Sequence, residues 1–327
     1  MSKPQQPDAT IEADDFIQEA DRNVDPTLDE GRVPVLEANG KISNDFINTK
    51  FGGDGSDGEL AITSGTTTID CLNEKIVVLN YTELSITGSA KLAFSNPHTN
   101  GTIVIIKVQG DVTLTSSEAP MIDMSGMGAH GGDAGANRGG EGEIPFSFNP
   151  FLSFEASTAS NFTGGSGGGS SVKANASDPT NASGGKTNYG ANVVPTDFNL
   201  SNLYSQLYPF ATTGGGGAGS TRDGGSAVAA PGGDGGGCLI IECGGAFNFT
   251  TTNGISVAGL DGEDSTPNSD FVANSGGGGA GYFLGIYTTL TANTGSVNID
   301  GGDPGTGGNW GNGTAGADGF AGFEKQL

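Results

Sequence analysis

The sequence predicts a mainly β chain. In its most specific form this is a parallel β-solenoid (β-helix-like) with glycine-rich segments, projecting loops and an extended N-terminal arm. Three observations carry this. Short β-branched runs recur at roughly eight- to twelve-residue spacing from residue 51 onward, with no helical period. Segments of about 25 residues repeat one three-strand pattern. Glycine, 60 of 327 residues, is crowded late in the chain, with 10 in residues 1–125 and 50 in residues 126–327.

Residues 1–30 are expected to be an acidic docking arm, with nine acidic residues against Lys3 and Arg22. "IEADDFIQEADRN" can wind into a short helix with Ile11, Phe16 and Ile17 roughly on one face. Such a helix is marginal alone in water. Those three side chains are therefore the expected docking contact, ordering on a partner; a disordered leader is the plainer alternative. Residues 31–50 form a linker. In it "RVPVLEANGKISNDFI" alternates apolar and polar positions around Asn39-Gly40, a two-residue hairpin signal.

Residues 51–130 are expected to form a solenoid-like domain. "TIVIIKVQGDVTLTSSEAPMIDMSGMG" (102–128), "CLIIECGGAFNFTTTNGISVAGLDG" (238–262) and "YFLGIYTTLTANTGSVNIDGGDPG" (282–305) share a layout. Each opens with an apolar strand, continues through a Thr-rich strand and adds a short third strand near Met121, Ile255 or Val297. Residues 75–96 fit the first two parts. Three strands with small corner residues make one rung, which only stacked neighbours can close over a core. A β-sandwich with long loops competes with this reading.

Residues 131–327 continue the β body with glycine tracts, such as "GGGGAGS" (214–220), "GGDGGG" (232–237) and "GGGGAG" (276–281). Flexible linker is the simple explanation. Yet several tracts inside an apolar-punctuated body argue for order. Glycine adopts extended three-per-turn backbone like polyproline II. Without side chains such segments can pack closely and exchange backbone hydrogen bonds. The expected loops between them are 144–163, 172–213, 221–231 and 263–275.

Charge removes several function classes. The formal net charge is −24, from 13 basic and 37 acidic residues, and no Lys/Arg run occurs. Nucleic-acid binding through phosphates is disfavoured, as is an anionic membrane surface. No window of 18 apolar residues suggests a membrane span, and the N-terminus lacks the apolar core of a secretory signal. Cys71, Cys238 and Cys243 give no disulfide framework. In a strand, Cys238 and Cys243 point to opposite faces, so all three are expected to pack as small apolar residues.

No catalytic motif is present, so no enzyme is expected. His98 lies in a turn and His130 at a glycine corner. A carboxylate pair cleaving polysaccharide is the enzymatic alternative. "GGDGSDGE" places Asp54, Asp57 and Glu59 in a glycine-relaxed loop, and "GLDGEDS" places Asp261, Glu263 and Asp264 in another. Oxygen ligands at this spacing suit Ca²⁺, although solvated turn acids explain them as well. Aromatics gather at Phe146, Phe148, Phe151, Phe154 and Phe162, and again at Phe198, Tyr204, Tyr208 and Phe210; Trp310 stands in "GGNWGNG". Packing over the β body is their plain role. Tyr204, Tyr208, Phe210 and Trp310 are the candidates for receptor contact, because Tyr and Trp tolerate half-exposure.

"RVPVLEANGKI" resembles a linker phrase of phage tail-fibre and other virion fibre-type proteins, and the glycine tracts resemble the polyglycine-II core of phage tail-tip adhesins. The resemblance covers about 16 residues for the linker and texture alone for the tracts. It implies a virion structural protein that docks on other virion proteins through its arm and attaches to a saccharide or protein receptor. It also implies a homo-oligomer, with a trimer the form expected of a fibre. A capsid- or tail-decorating subunit without receptor binding is the second class. A cell-surface adhesin or filament subunit is the third.

Overall fold

The structure is a computed structural model. It describes residues 51–135, 142–146, 211–220, 228–267, 271–309 and 312–326, with short strands at 153–156, 189–192 and 222–223. All described residues belong to one compact unit, Thr49–Leu327. The docking arm and the whole linker, residues 1–50, lie outside them.

The strands in chain order are β1 (Glu59–Asp70), β2 (Ile76–Tyr81), β3 (Glu83–Ser95), β4 (Ile103–Val108), β5 (Val112–Leu114), β6 (Ile122–Asp123), β7 (Ser153–Ala156) and β8 (Tyr189–Asn192). They continue with β9 (Arg222–Asp223), β10 (Cys238–Phe249), β11 (Ile255–Ser256), β12 (Phe271–Val272), β13 (Tyr282–Asn293), β14 (Val297–Asn298) and β15 (Phe320–Lys325). Eleven of them form one open sheet, parallel throughout. The described residues contain no helix, so none long and apolar enough to cross a membrane.

Register resolves this sheet into three columns. The first stacks β2, β4, the start of β10, the start of β13, and β15, with Ile76, Ile103, Cys238, Tyr282 and Phe320 in line. The second stacks the start of β1, the start of β3, β5, and the later halves of β10 and β13. The third stacks the ends of β1 and β3 with β6, β11 and β14. The repeats at Ile103, Cys238 and Tyr282 are thus true strand partners. The third strand begins its pairing at Ile122, one residue after the expected Met121. The columns run without a break across residue 130.

The inner faces of all three columns share one core. It includes Val104, Ile106 and Leu239 from the first, Leu84, Ile86 and Phe247 from the second, and Leu92, Ile122 and Ile255 from the third. Burying each such side chain contributes about 1.5–3 kcal/mol. A smaller cluster lies on the other face of the first column, where Ile103, Ile240, Tyr282 and Leu284 pack with Ala211, Phe51, Phe146 and Phe320. Phe146 is therefore a packing residue. The period-two alternation separates the two faces, and Cys238 joins the second cluster while Cys243 joins the first. All three cysteines are buried and free. Burial pushes the Cys71 and Cys243 thiols up to about 11.

One ion pair is buried in the first column. Lys107 and Glu242 are register partners, and Lys107 Nζ lies 3.3 Å from Glu242 Oε2. The Gly52 N–H also donates to that oxygen, at 3.1 Å.

Candidate functional site

The glycine segments are organised by backbone hydrogen bonds at three-residue spacing. Gly214 N–H donates to Gly236 O, Gly217 N–H to Gly233 O, and Ser220 N–H to Ala230 O. The carbonyls of Gly214, Gly217 and Ser220 accept from Ala129, Gly132 and Gly135. The intervening carbonyls of Gly215 and Ala218 accept from Gly279 and Gly276. One segment thus bonds three neighbours in different directions, as a backbone turning once per three residues allows.

Glycine is required here for space. None of the glycines of 214–219, 232–237 or 276–281 has a left-handed φ. A Cβ on Gly217 would strike Gly276 O, with Gly276 C and Gly277 O each 2.7 Å away. A Cβ on Gly214 would strike Gly279 O.

Chain direction brings the flanks of four connections to one end. Segments 128–135 and 211–220 run side by side in parallel, and 228–237 returns antiparallel to the second. Segments 257–267 and 299–309 also run outward from the third column, and 271–281 and 312–319 run back to the first. The connections 136–141, 268–270 and 310–311, and 221–227 apart from β9, lie outside the described residues, but their flanks meet. Ser220 O accepts from Gly135 N–H at 3.1 Å, and Val228 and Thr266 exchange both backbone bonds at 3.0 Å. β9 pairs antiparallel with β12, and Val272 N–H donates to Asn309 Oδ1 at 3.0 Å. Ten steps of extended chain put this end roughly 30 Å from the first column.

Serines brace the flanks. Ser220, Ser265 and Ser275 are buried. The Ser220 and Ser265 hydroxyls lie 3.1 Å apart, Ser265 Oγ donates to Ala273 O at 2.8 Å, and Ser275 Oγ donates to Glu263 O at 2.7 Å. Sequence reasoning missed these residues; Ser220 and Ser275 flank glycine runs, and no such signal marks Ser265. The expected loop 263–275 is shorter than predicted, because 263–267 and 271–275 belong to hydrogen-bonded segments.

The aromatic candidates have different roots. Trp310 lies outside the described residues, but its neighbour Asn309 is fixed at the outer end by bonds to Val272. Tyr204, Tyr208 and Phe210 also lie outside them. The stretch 147–210 is rooted at the first column, where Thr213 N–H donates to Phe146 O at 3.0 Å and Ala211 is buried in the second cluster. Ile11, Phe16 and Ile17 lie outside the described residues.

The acidic candidates are placed as turn acids. Asp54 Oδ1 accepts from Ser56 N–H at 3.0 Å, and Asp57 Oδ2 from Asn80 N–H at 2.7 Å; Glu59 begins β1, exposed. The Ser56 bonds hold the Asp54 carboxyl below the usual range. The three do not converge, and among the described residues no group of three or more His, Cys, Asp or Glu could hold a metal ion. Asp261 Oδ1 accepts from Asp303 N–H at 2.7 Å, and Asp264 Oδ1 from Thr306 N–H at 2.6 Å. These carboxylates tie one segment to the next. His98 Nδ1 accepts from Asn100 N–H at 3.0 Å, and His130 Nδ1 lies 3.5 Å from Asp234 Oδ1.

No family model matches the chain, and neither a curated protein nor a solved structure similar to it was found.

Proposed function

We propose that the chain is a virion structural protein of the fibre or tail-tip type, attaching to a host surface receptor through several loops at once. The three columns are read as stacked rungs of a β-solenoid, and the glycine segments as a polyglycine-II-like bundle. The observation that supports this best is the meeting of the flanks of four connections at one end of segments too tightly packed to admit a Cβ. Variable loops on a rigid scaffold are the usual form of a recognition surface. Many copies then supply avidity from weak contacts. The reading needs no cofactor, metal or bond cleavage, and its partners are other virion proteins at the arm and a saccharide or protein receptor at the loops.

Immunogold labelling of particles from the source lysate, with an antibody against residues 51–327, tests it. Label at fibre ends or a tail tip is expected. Label spread evenly over a shell would favour a decorating subunit without a receptor. Label on cell envelopes, and none on particles, would overturn both.

A further inference from the structure

The two ends of the parallel sheet are stepped, and the steps are complementary. At the β1 end, the second and third columns begin one strand before the first, because β1 lies beside β3 and no described strand lies beside β2 on its outer side. At the β15 end, the first column continues one strand beyond the other two, because β15 lies beside the start of β13 alone. One end therefore lacks the strand that the other end has in excess.

Among the described residues no strand fills this position, and it is apolar. Ile76 is 41% exposed and Val78 46%, although their register partners Ile103 and Ile105 are buried. Backbone direction agrees. Ile103 N–H and Gln109 N–H donate to Lys75 O and Tyr81 O, so odd-numbered residues of β2 face β4. In a parallel strand the alternate residues then turn their N–H and C=O outward, here Ile76 and Val78. At β15, Phe320 N–H donates to Gly281 O and Gln326 N–H to Tyr287 O. Ala321 and Phe323 accordingly present the outward groups. Beyond Val78 the position closes: Asp57 N–H donates to Asn80 O at 2.8 Å, and Thr82 N–H to Gly58 O at 2.7 Å. The free stretch accepts about four residues of an extended partner.

We propose that this chain associates head to tail with a second copy of itself. β15 of one copy occupies the open side of β2 in the next, with Phe320 aligned to Ile76 and Gly322 to Val78. β1 of the second copy lies along the ends of β13 and β14 in the first. Leu290, 41% exposed, and the half-buried Val297 are then covered at one end, and the half-buried Leu60 and Ile69 at the other. Each column continues in register across the junction. The contact uses different surfaces on the two copies, so it propagates into a linear assembly. The formal charge of −24 per chain opposes association at low salt and is screened at high salt. This inference does not depend on receptor attachment.

The test is sedimentation velocity of the 327-residue chain over a range of concentration and salt. Oligomers that grow with protein concentration and with salt are expected. Val78→Pro removes an outward N–H without touching the β4 ladder and should leave only monomer at an unchanged melting temperature. Val78→Lys serves the same purpose if the proline variant does not fold. Val78→Cys and Gly322→Cys chains should form an intermolecular disulfide when mixed, and neither should do so alone. A wild-type chain that stays monomeric throughout would overturn the proposal. So would oligomers indifferent to both Val78 variants, or cross-linking of Val78→Cys with itself.

Discussion

Gly217→Ala separates a packed glycine segment from a slack one by the sign of its effect. In an unstrained flexible segment, Gly→Ala raises stability by about 0.4–1 kcal/mol, because it narrows the unfolded ensemble. Gly217 has no left-handed φ, so alanine meets no conformational objection. The objection is steric: the methyl would strike Gly276 O, with Gly277 O 2.7 Å away. Segment 271–281 must then move. Overpacking of this kind costs about 1–3 kcal/mol. The movement also strains the bonds from Gly276 N–H to Ala218 O, 2.9 Å, and from Gly279 N–H to Gly215 O, 2.8 Å. Losing both costs about 2 kcal/mol more. The sum, about 3–5 kcal/mol, corresponds to a melting temperature lower by roughly 5–9 °C in a unit of this size. Differential scanning calorimetry reads it. Gly65→Ala is the control, since nothing lies within 4 Å of its added Cβ and only its φ of 71° objects. It should cost about 1–2 kcal/mol. A Gly217→Ala chain that melts at or above the wild-type temperature would refute the close-packed reading of the segments.

Lys107→Met removes the ammonium group beside the buried Glu242 carboxylate and should cost about 3–5 kcal/mol in urea unfolding, most of it recovered in Lys107→Met/Glu242→Met. At Asp123, burial alone would raise the carboxyl pKa, but bonds from Lys91 and Ser125 outweigh it and leave the pKa lowered. A folded-state pKa below the unfolded one gives stability that is present above pH 3.8, the ordinary value, and is lost as pH falls through the folded value. Asp123→Asn should flatten that acid limb in melts taken from pH 5 downward. The raised, buried thiols of Cys71, Cys238 and Cys243 should resist iodoacetamide in the native chain, with three adducts by mass spectrometry once it is unfolded.

The side-chain pattern was informative wherever side chains alternate, and silent wherever the backbone alone decides. Ile103, Cys238 and Tyr282 open three apolar runs, and the structure pairs those same residues because a one-residue slip would turn every run inside out. The opposite faces of Cys238 and Cys243 followed from the same period. Nothing comparable marks the glycine segments. Gly214 pairs with Gly236 rather than Gly235 through carbonyl positions that identical residues do not encode. The bond between Gly52 and Glu242 joins residues 190 apart and was likewise invisible. The loop boundaries failed for a related reason: 263–275 looks polar and irregular, yet Ser265 and Ser275 are the buried braces of their segments. In a bundle built on the absence of Cβ, the residues that do carry side chains become the informative ones. Serines and carboxylates mark where one segment is tied to another.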